Sequence, residues 1–150
     1  MSGNEWRLDD LFAKFPDVFR GTSRVLRCQW RVSGEGRAIK DKAGVRREAT
    51  VILAAFPSDE FLLVLKQSWP SELAEADRPA AEAALLRGIF EGTVGCEDPP
   101  WQCRLECTEL KLVPGVEAVP VLQMAARAAV QSLIQGGGWE AVGFPGDHVA

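Results

Sequence analysis

The apolar residues between positions 77 and 92 recur every three or four residues, which is the spacing of one face of an α-helix. They are Ala81, Leu85, Leu86, Ile89 and Phe90. Asp77 stands before them as a candidate N-terminal cap, Pro79 suits the first helical turn, and Gly92 suits the exit. The pattern therefore predicts a helix between Asp77 and Gly92.

Beyond this helix the apolar positions alternate with polar ones, which is the period of a half-buried strand. The alternating apolar residues are Trp101, Cys103, Leu105 and Cys107. Helical spacing returns behind Pro120 and continues to Leu133, where three glycines at 136–138 end the pattern. The predicted apolar face of this second helix contains Val121, Met124, Ala125, Ala128 and Ala129.

Alternation also marks the first half of the chain. Residues 25–32 predict a strand with one basic face and one apolar face, the latter formed by Leu26, Cys28, Trp30 and Val32. Gly34-Glu35-Gly36 is expected to break this strand as a hairpin turn, and residues 41–47 are expected to form a loop. The run 49–56 is typical of a central strand, and 61–65 of a short one.

The two ends of the chain carry weaker patterns. Leu8, Leu11, Phe12 and Phe15 have helical spacing that Pro16 ends, and residues 139–144 alternate like an edge strand. We expect residues 1–23 to form an N-terminal extension with a short helix, 24–146 a single domain, and 147–150 a tail.

The order of these elements, β-β-β-α-β-α, predicts an α+β fold. We expect a four-stranded, mostly antiparallel but mixed sheet with two helices on one face. If the strands lie side by side, the opposite face is open to water or a partner. It would then carry Arg27, Gln29, Arg31, Gln102, Arg104 and Thr108.

The net charge of −4 over 150 residues conceals an uneven distribution. Between Arg20 and Arg47 nine basic residues stand against two acidic ones, a local charge of +7 that leaves −11 for the remainder. This asymmetry predicts an anion-binding end, although arginines on the wet face of a sheet would give the same count. The chain has no apolar run of membrane-spanning length and no secretory leader pattern, so we expect a cytoplasmic protein without a membrane partner.

Catalytic chemistry is not evident in the sequence. His148 is the single histidine and tyrosine is absent, which disfavours the common nucleophile and proton-transfer arrangements. Cys103 and Cys107 would share a strand face yet lie roughly 13 Å apart, too far for a disulfide or a shared metal ion. We expect reduced core cysteines at these positions and at Cys28 and Cys96, no metal site, no cofactor and no enzymatic activity.

The candidate binding site is the basic segment around Gly44. Its cations could contact nucleic-acid phosphates as a flexible finger, although no aromatic residues are interleaved for base stacking. The predicted site residues are Arg37, Lys40, Lys42, Arg46 and Arg47.

This segment belongs to a longer pattern that resembles domain IV of translation elongation factor G and the approach to it from domain III. Residues 34–46 resemble the family's Glu-Gly-Lys stretch and its basic glycine loop. Further similar segments follow in order at 50–53, 83–89, 121–134 and 141–145. The resemblance covers roughly residues 24–146. It implies the fold of the second domain of ribosomal protein S five, with a left-handed crossover, and a role at the ribosomal decoding region.

The chain departs from the family at the tip. The glycine loop keeps only Gly44, the second tip loop at 113–118 lacks the family's His and Asp-Ser pair, and no guanine-nucleotide domain is present. We therefore expect a stand-alone relative with a changed task that contacts RNA or the ribosome through the basic residues. The alternative is a protein-interaction module or homo-oligomer that uses the exposed sheet face or an edge strand. Its candidate anchors would be Trp69, Trp101 and Trp139, although core packing explains such aromatics equally well.

Overall fold

The computed structural model describes residues 4–18, 21–114 and 116–144. Seven strands and three α-helices make up this part of the chain, with short 3-10 turns before the second and third helices. They are β1 (Glu5–Arg7), α1 (Leu8–Lys14), β2 (Arg24–Cys28), β3 (Val32–Lys42), β4 (Val45–Pro57), β5 (Leu62–Leu65), α2 (Arg78–Val94), β6 (Cys103–Val113), α3 (Val119–Gln135) and β7 (Trp139–Gly143). The predicted tail, 147–150, with His148, lies outside the described residues.

The fold is α+β, with a mixed five-stranded sheet in place of the predicted four-stranded one. The strand order is β1-β5-β6-β4-β3, in which β5 and β6 are parallel and the other neighbours are antiparallel. A second sheet is formed by β2 and β7 alone. The parallel pair is joined through α2, as a parallel connection requires.

The strand predicted over residues 25–32 is interrupted, because the chain leaves one sheet and enters another within it. β2 ends at Cys28, and β3 begins at Val32. Besides its pairing with β7, β2 hydrogen-bonds to the segment before β6, with Leu26 N donating to Pro99 O at 2.8 Å. Trp30, expected on the apolar face, lies in the break and is 59% exposed.

One face of the main sheet carries the core. On β4 the inward residues Ala49, Val51, Leu53 and Ala55 are at most 1% exposed, and on β6 Cys103, Leu105 and Cys107 are equally buried. α3 contacts β3 and β4, and α2 packs against α3. The expected arrangement of two helices on an alternating apolar sheet face thus explains most of the core.

Gly34 and Gly36 do not form the predicted turn but lie inside β3, directly beneath α3. A Cβ atom at Gly34 would lie 2.5 Å from the backbone nitrogen of Leu133, and one at Gly36 would overlap the backbone oxygen of Ala125. Only residues without a side chain allow the helix backbone this close to the strand.

The α2 and α3 contact uses small residues in the same way. Gly92 was predicted to end α2, but it is buried inside the helix, where an added Cβ would lie 2.8 Å from Val130 Cβ. Gly95 takes the C-terminal cap position instead, while Asp77 takes the N-cap position without a side-chain cap bond. Met124, predicted on the buried stripe of α3, is 57% exposed because Ala125, Ala126 and Ala129 occupy the buried arc.

β1 and α1 contribute to the same core. Trp6 pairs with Leu63 across the edge of the sheet, and Leu11 is fully buried. The ring of Phe12 packs edge-on against Phe90 at 5.3 Å and Trp101 at 5.6 Å between ring centroids.

Two of the three proposed tryptophan anchors serve internal contacts. Trp101 is 1% exposed and its Nε1 donates to Thr93 Oγ1 at 3.1 Å, so it is a core residue and not a binding anchor. Trp139 Nε1 donates to the carbonyl of Leu133 at 3.1 Å.

All four cysteines are free thiols, as expected, and Cys28, Cys103 and Cys107 are buried. Burial raises the pKa of the Cys107 thiol to about 12. The same cause raises the pKa of Cys103, so neither thiol is a ready nucleophile.

We predict that Gly36→Ala lowers the free energy of unfolding by at least about 2 kcal/mol, because the new methyl group meets helix backbone that cannot turn aside. Urea titration followed by circular dichroism measures the change. Gly143→Ala is the matched control in an exposed strand, since its Cβ would meet nothing within 4 Å, and its effect is expected to stay within about 0.5 kcal/mol. Equal effects of the two substitutions would contradict the close helix contact.

Candidate functional site

The basic segment is the end of a two-stranded hairpin and not the predicted loop. β3 and β4 stay in register from Val32 opposite Ala55 to Lys42 opposite Val45. Only Ala43 and Gly44 lie between them, with φ values of 53° and 78°. Two consecutive positive φ angles are typical of a type I′ turn, which matches the twist of the flanking strands. The cations are therefore held on strands, and not on a flexible finger.

Strand alternation places these cations on two opposite faces. Ala38 and Ala49 point into the core beneath the helices, so residues an even number of positions away from them share that side. Lys40, Lys42 and Arg47 are on this side. Arg37 and Arg46 are on the other, together with Glu48.

Glu48 neutralises the second face. Its Oε1 accepts hydrogen bonds from Arg37 Nη2 at 2.8 Å and from Arg46 Nη2 at 3.3 Å. The hydrogen bond from Arg37 is the main reason that the pKa of Glu48 is lowered, and Arg46 adds to it. The same pair raises the pKa of Arg37. Two of the five predicted site residues are therefore engaged inside the chain.

The other three cations form what we call the cationic face: Lys40, Lys42 and Arg47. Lys40 lies directly opposite Arg47, and Lys42 lies diagonally from it. None of the three forms an ion pair with a described residue. The Nε atom of half-buried Arg47 is enclosed and has no hydrogen-bond partner in the described part of the chain. The positive charge of this face is thus not compensated locally.

The N-terminal end of α3 lies at the same end of the molecule. Gly34 contacts α3 near Leu133, whereas Gly36 contacts it near Ala125, so moving along β3 toward the turn leads toward the start of the helix. The second predicted tip segment, 113–118, reaches this end too, since Val113 lies opposite Glu48. Gly115 is outside the described residues.

A second charged cluster, which the sequence did not reveal, lies on the outer face of the sheet. Glu106 is only 7% exposed, and its carboxylate contacts Arg104 Nε at 2.8 Å and Lys66 Nζ at 3.2 Å. Burial acts to raise its pKa, but the two cations outweigh burial and the pKa of Glu106 is lowered. Arg104 lies on the same face of the same strand as Glu106, whereas Lys66 follows β5 and comes close only through the parallel pairing of β5 and β6.

The described part of the chain also has shallow depressions, among them two with charged lining residues. One of about 380 Å³ lies beside Trp69, Pro70 and Lys111. The other, of about 340 Å³, contains Arg127 and Arg87, whose guanidinium is already bound by Asp17 and Glu91. Within the described ranges, no three His, Cys, Asp or Glu side chains are grouped to hold a metal ion. None of the described helices has the length and apolar content needed to span a bilayer.

Comparison with known proteins identifies the fold but no family. No family model and no curated protein matches the chain. Among solved structures it is similar to a protein of Thermus thermophilus, with a TM-score of 0.62 and 13% identity over 81% of this chain. The chain spans 18% of that protein's length. At this identity the likeness shows a shared fold, and the relation to elongation factor G stays a prediction.

The unequal roles of the two arginines around Glu48 can be tested by carboxyl-carbon NMR titration. We predict that Arg37→Gln raises the pKa of Glu48 more than Arg46→Gln does, because Arg37 makes the shorter hydrogen bond. An equal rise in the pKa of Glu48 in both variants would show that the two arginines act through their charge alone, and not through the length of the hydrogen bond.

The lowered pKa of Glu48 also predicts how stability depends on pH. Because the folded-state pKa lies below the unfolded one, the stabilisation is present at neutral pH and is lost as pH falls through the folded pKa. The stability difference between wild type and Glu48→Gln should therefore be constant near pH 7 and shrink below about pH 4.3. Urea titrations at successive pH values measure it, and a difference that grows on acidification would contradict the assignment.

Proposed function

We propose that this protein is a non-enzymatic relative of elongation factor G domain IV that contacts RNA or the ribosome through the cationic face of its hairpin. The residues assigned to the contact are Lys40, Lys42 and Arg47, with Arg37 and Arg46 in a supporting role. The order of the resembling segments and the α+β class of the fold support the family relation. The charge arrangement at the hairpin supports RNA or the ribosome as the ligand.

The uncompensated charge of the cationic face is the observation that carries the proposal. Like charges directly opposite each other on neighbouring strands are unfavourable, by about 0.2–1 kcal/mol for a pair such as Lys40 and Arg47. Glu48 relieves the opposite face of the same hairpin, whereas no described carboxylate relieves this one. A polyanion bound there would remove the repulsion.

The nearby start of α3 favours the same ligand. The N-terminal end of a helix carries a partial positive charge, which attracts phosphate groups. Because α3 begins at the hairpin end of the molecule, its dipole adds to the field of the cationic face.

The strength expected of this contact is modest. Each phosphate contacted by a cation contributes a slope of about −0.7 to −0.9 to the dependence of log K on log salt concentration, so three contacts give a slope of about −2 to −3. Such binding is effective at low salt or as one part of a larger assembly.

The proposal is tested by sedimentation of the protein with purified ribosomes and with bulk RNA across a salt series. For the triple variant Lys40→Gln, Lys42→Gln and Arg47→Gln, we predict weaker binding and a salt dependence flatter by about 2 to 3.

The matched control lies in the same hairpin. The double variant Arg37→Gln and Arg46→Gln removes cations that Glu48 already neutralises, so its salt slope should change less than that of the triple variant. Equal effects of the two variants would reject the cationic face as the specific site. No sedimentation of the wild-type protein even at low salt would reject the function itself.

A second candidate function is self-association. The free edge of β3 favours it and permits a more specific proposal.

A further inference from the structure

β3 is a long strand with an unoccupied edge. It is the last strand of the five-stranded sheet, spans 11 residues and pairs with β4 without a register shift. No other strand of the described chain borders its outer edge. It contains no proline. Such an edge presents unpaired backbone groups to any further strand.

The turn determines which residues offer these groups. Lys42 and Val45 flank a two-residue turn and therefore form a hydrogen-bonded pair. By alternation, the even-numbered residues of β3 bond to β4, and the odd-numbered ones direct their N–H and C=O groups outward. These outward residues are Ser33, Glu35, Arg37, Ile39 and Asp41.

The charges of these positions are self-complementary. Arg31, which lies beside Phe56, extends this row by one position. From Arg31 to Asp41 the charges of the six outward residues are positive, neutral, negative, positive, neutral and negative. Two outward residues at equal distances on either side of Gly36 have opposite charges, or are both neutral. An antiparallel copy with Gly36 opposite Gly36 would therefore place Glu35 against Arg37 and Arg31 against Asp41, each twice by symmetry.

Neighbouring registers lose this match. Centring the pair on Glu35 or on Arg37 places that residue against its own copy, and centring it on Ala38 places Glu35 against Asp41. Opposite charges also meet in two registers three residues away, each over a shorter overlap. Arg37 meets Asp41 when the pair is centred on Ile39, and Arg31 meets Glu35 when it is centred on Ser33. Like charges directly opposite are unfavourable, so the charges select the register centred on Gly36.

The helix side of the edge is compatible with a second copy. Ala126 and Val130 of α3 face α2, so by helical rotation Ala128 and Ser132 lie on the flank nearest the outer edge of β3. These small, half-buried residues permit close approach of a second α3. Exposed Met124 is an apolar contact available beside them.

We propose that β3 pairs antiparallel with β3 of a second copy of this chain, centred on Gly36, so that two five-stranded sheets join into one. The cationic face lies on the helix side of the hairpin, and the paired charges lie on the outer face. The two hairpin turns then point in opposite directions. This interface does not depend on RNA binding and can be tested without nucleic acid.

Sedimentation velocity between about 1 μM and about 1 mM, the range of weak specific association, measures the dimer. The wild-type chain is expected to shift from monomer to twice the monomer mass. Asp41→Arg and Arg31→Asp should each weaken dimerisation about tenfold or more, because each creates two like-charge pairs. The double variant Arg31→Asp with Asp41→Arg restores opposite charges and should return to within about threefold of wild type. Circular dichroism checks that every variant is folded.

Cysteine cross-linking identifies the register. In the proposed pair Ser33 lies opposite Ile39 with Cα atoms about 5.5 Å apart, within reach of a disulfide. The double variant Ser33→Cys with Ile39→Cys should form an intermolecular disulfide on oxidation, whereas Ile39→Cys alone and Ser33→Cys alone should not. A bond formed by Ile39→Cys alone would establish the register centred on Ile39, and one formed by Ser33→Cys alone the register centred on Ser33; either result would contradict the register centred on Gly36. A wild-type chain that stays monomeric throughout would overturn the proposal.

Discussion

The close contact between the backbone of α3 and the backbone of β3 is the constraint on which the rest of this structure depends. Gly34 and Gly36 lack the side chains that would hold the helix at the usual distance, and α3 therefore lies directly on an edge strand. That position fixes which side of β3 faces the core. It also fixes the direction of every side chain further along the strand, including those at the hairpin end.

The consequences of this contact extend to both proposals. Below the helix, β3 stays in register with β4 over its whole length, which leaves a regular outer edge. Near the turn, the cations of the hairpin lie at the end of the molecule where α3 begins. One strand thus presents a backbone edge to one kind of partner and a charged face to another, and the two surfaces point in different directions.

Strong periodicity made several elements predictable. The helices α2 and α3, the central strand β4 and the alternating part of β6 follow from spacing, because each buries one face in the usual way. The glycine pair at 34 and 36 could not be interpreted from sequence alone. A turn and a close backbone contact both require glycine, and only the position of α3 decides between them. The break between Cys28 and Val32 was invisible for a similar reason, since the hydrogen bonds of β2 come from β7 and from the segment before β6, both distant in sequence.

The candidate site was predictable in composition but not in arrangement. The sequence identified the five cations, yet it assigned Lys42, Arg46 and Arg47 to a loop, because Ala43 is not a residue expected at positive φ. Once the two-residue turn is known, strand alternation places the cations on two faces of the hairpin. Glu48 lies on the same face as Arg37 and Arg46 and contacts both. Glu106 shows the same limit for one of its two partners: Arg104 lies two residues away on the same strand, whereas Lys66 follows β5 and is brought close only by the pairing of β5 with β6.

Ala38 and Ala49 are the core residues nearest the turn, and the alternation that starts from them decides on which face of the hairpin each charged side chain lies. A residue inserted between Ala38 and Lys40 would leave the composition of the hairpin almost unchanged, yet it would move Lys40 and Lys42 to the side occupied by Glu48. Two hairpins with the same number of lysines and arginines can thus differ in the charge that a partner meets. In hairpins of this kind, whether an odd or an even number of positions separates a cation from the last core residue determines which face carries its charge. The number of cations alone does not.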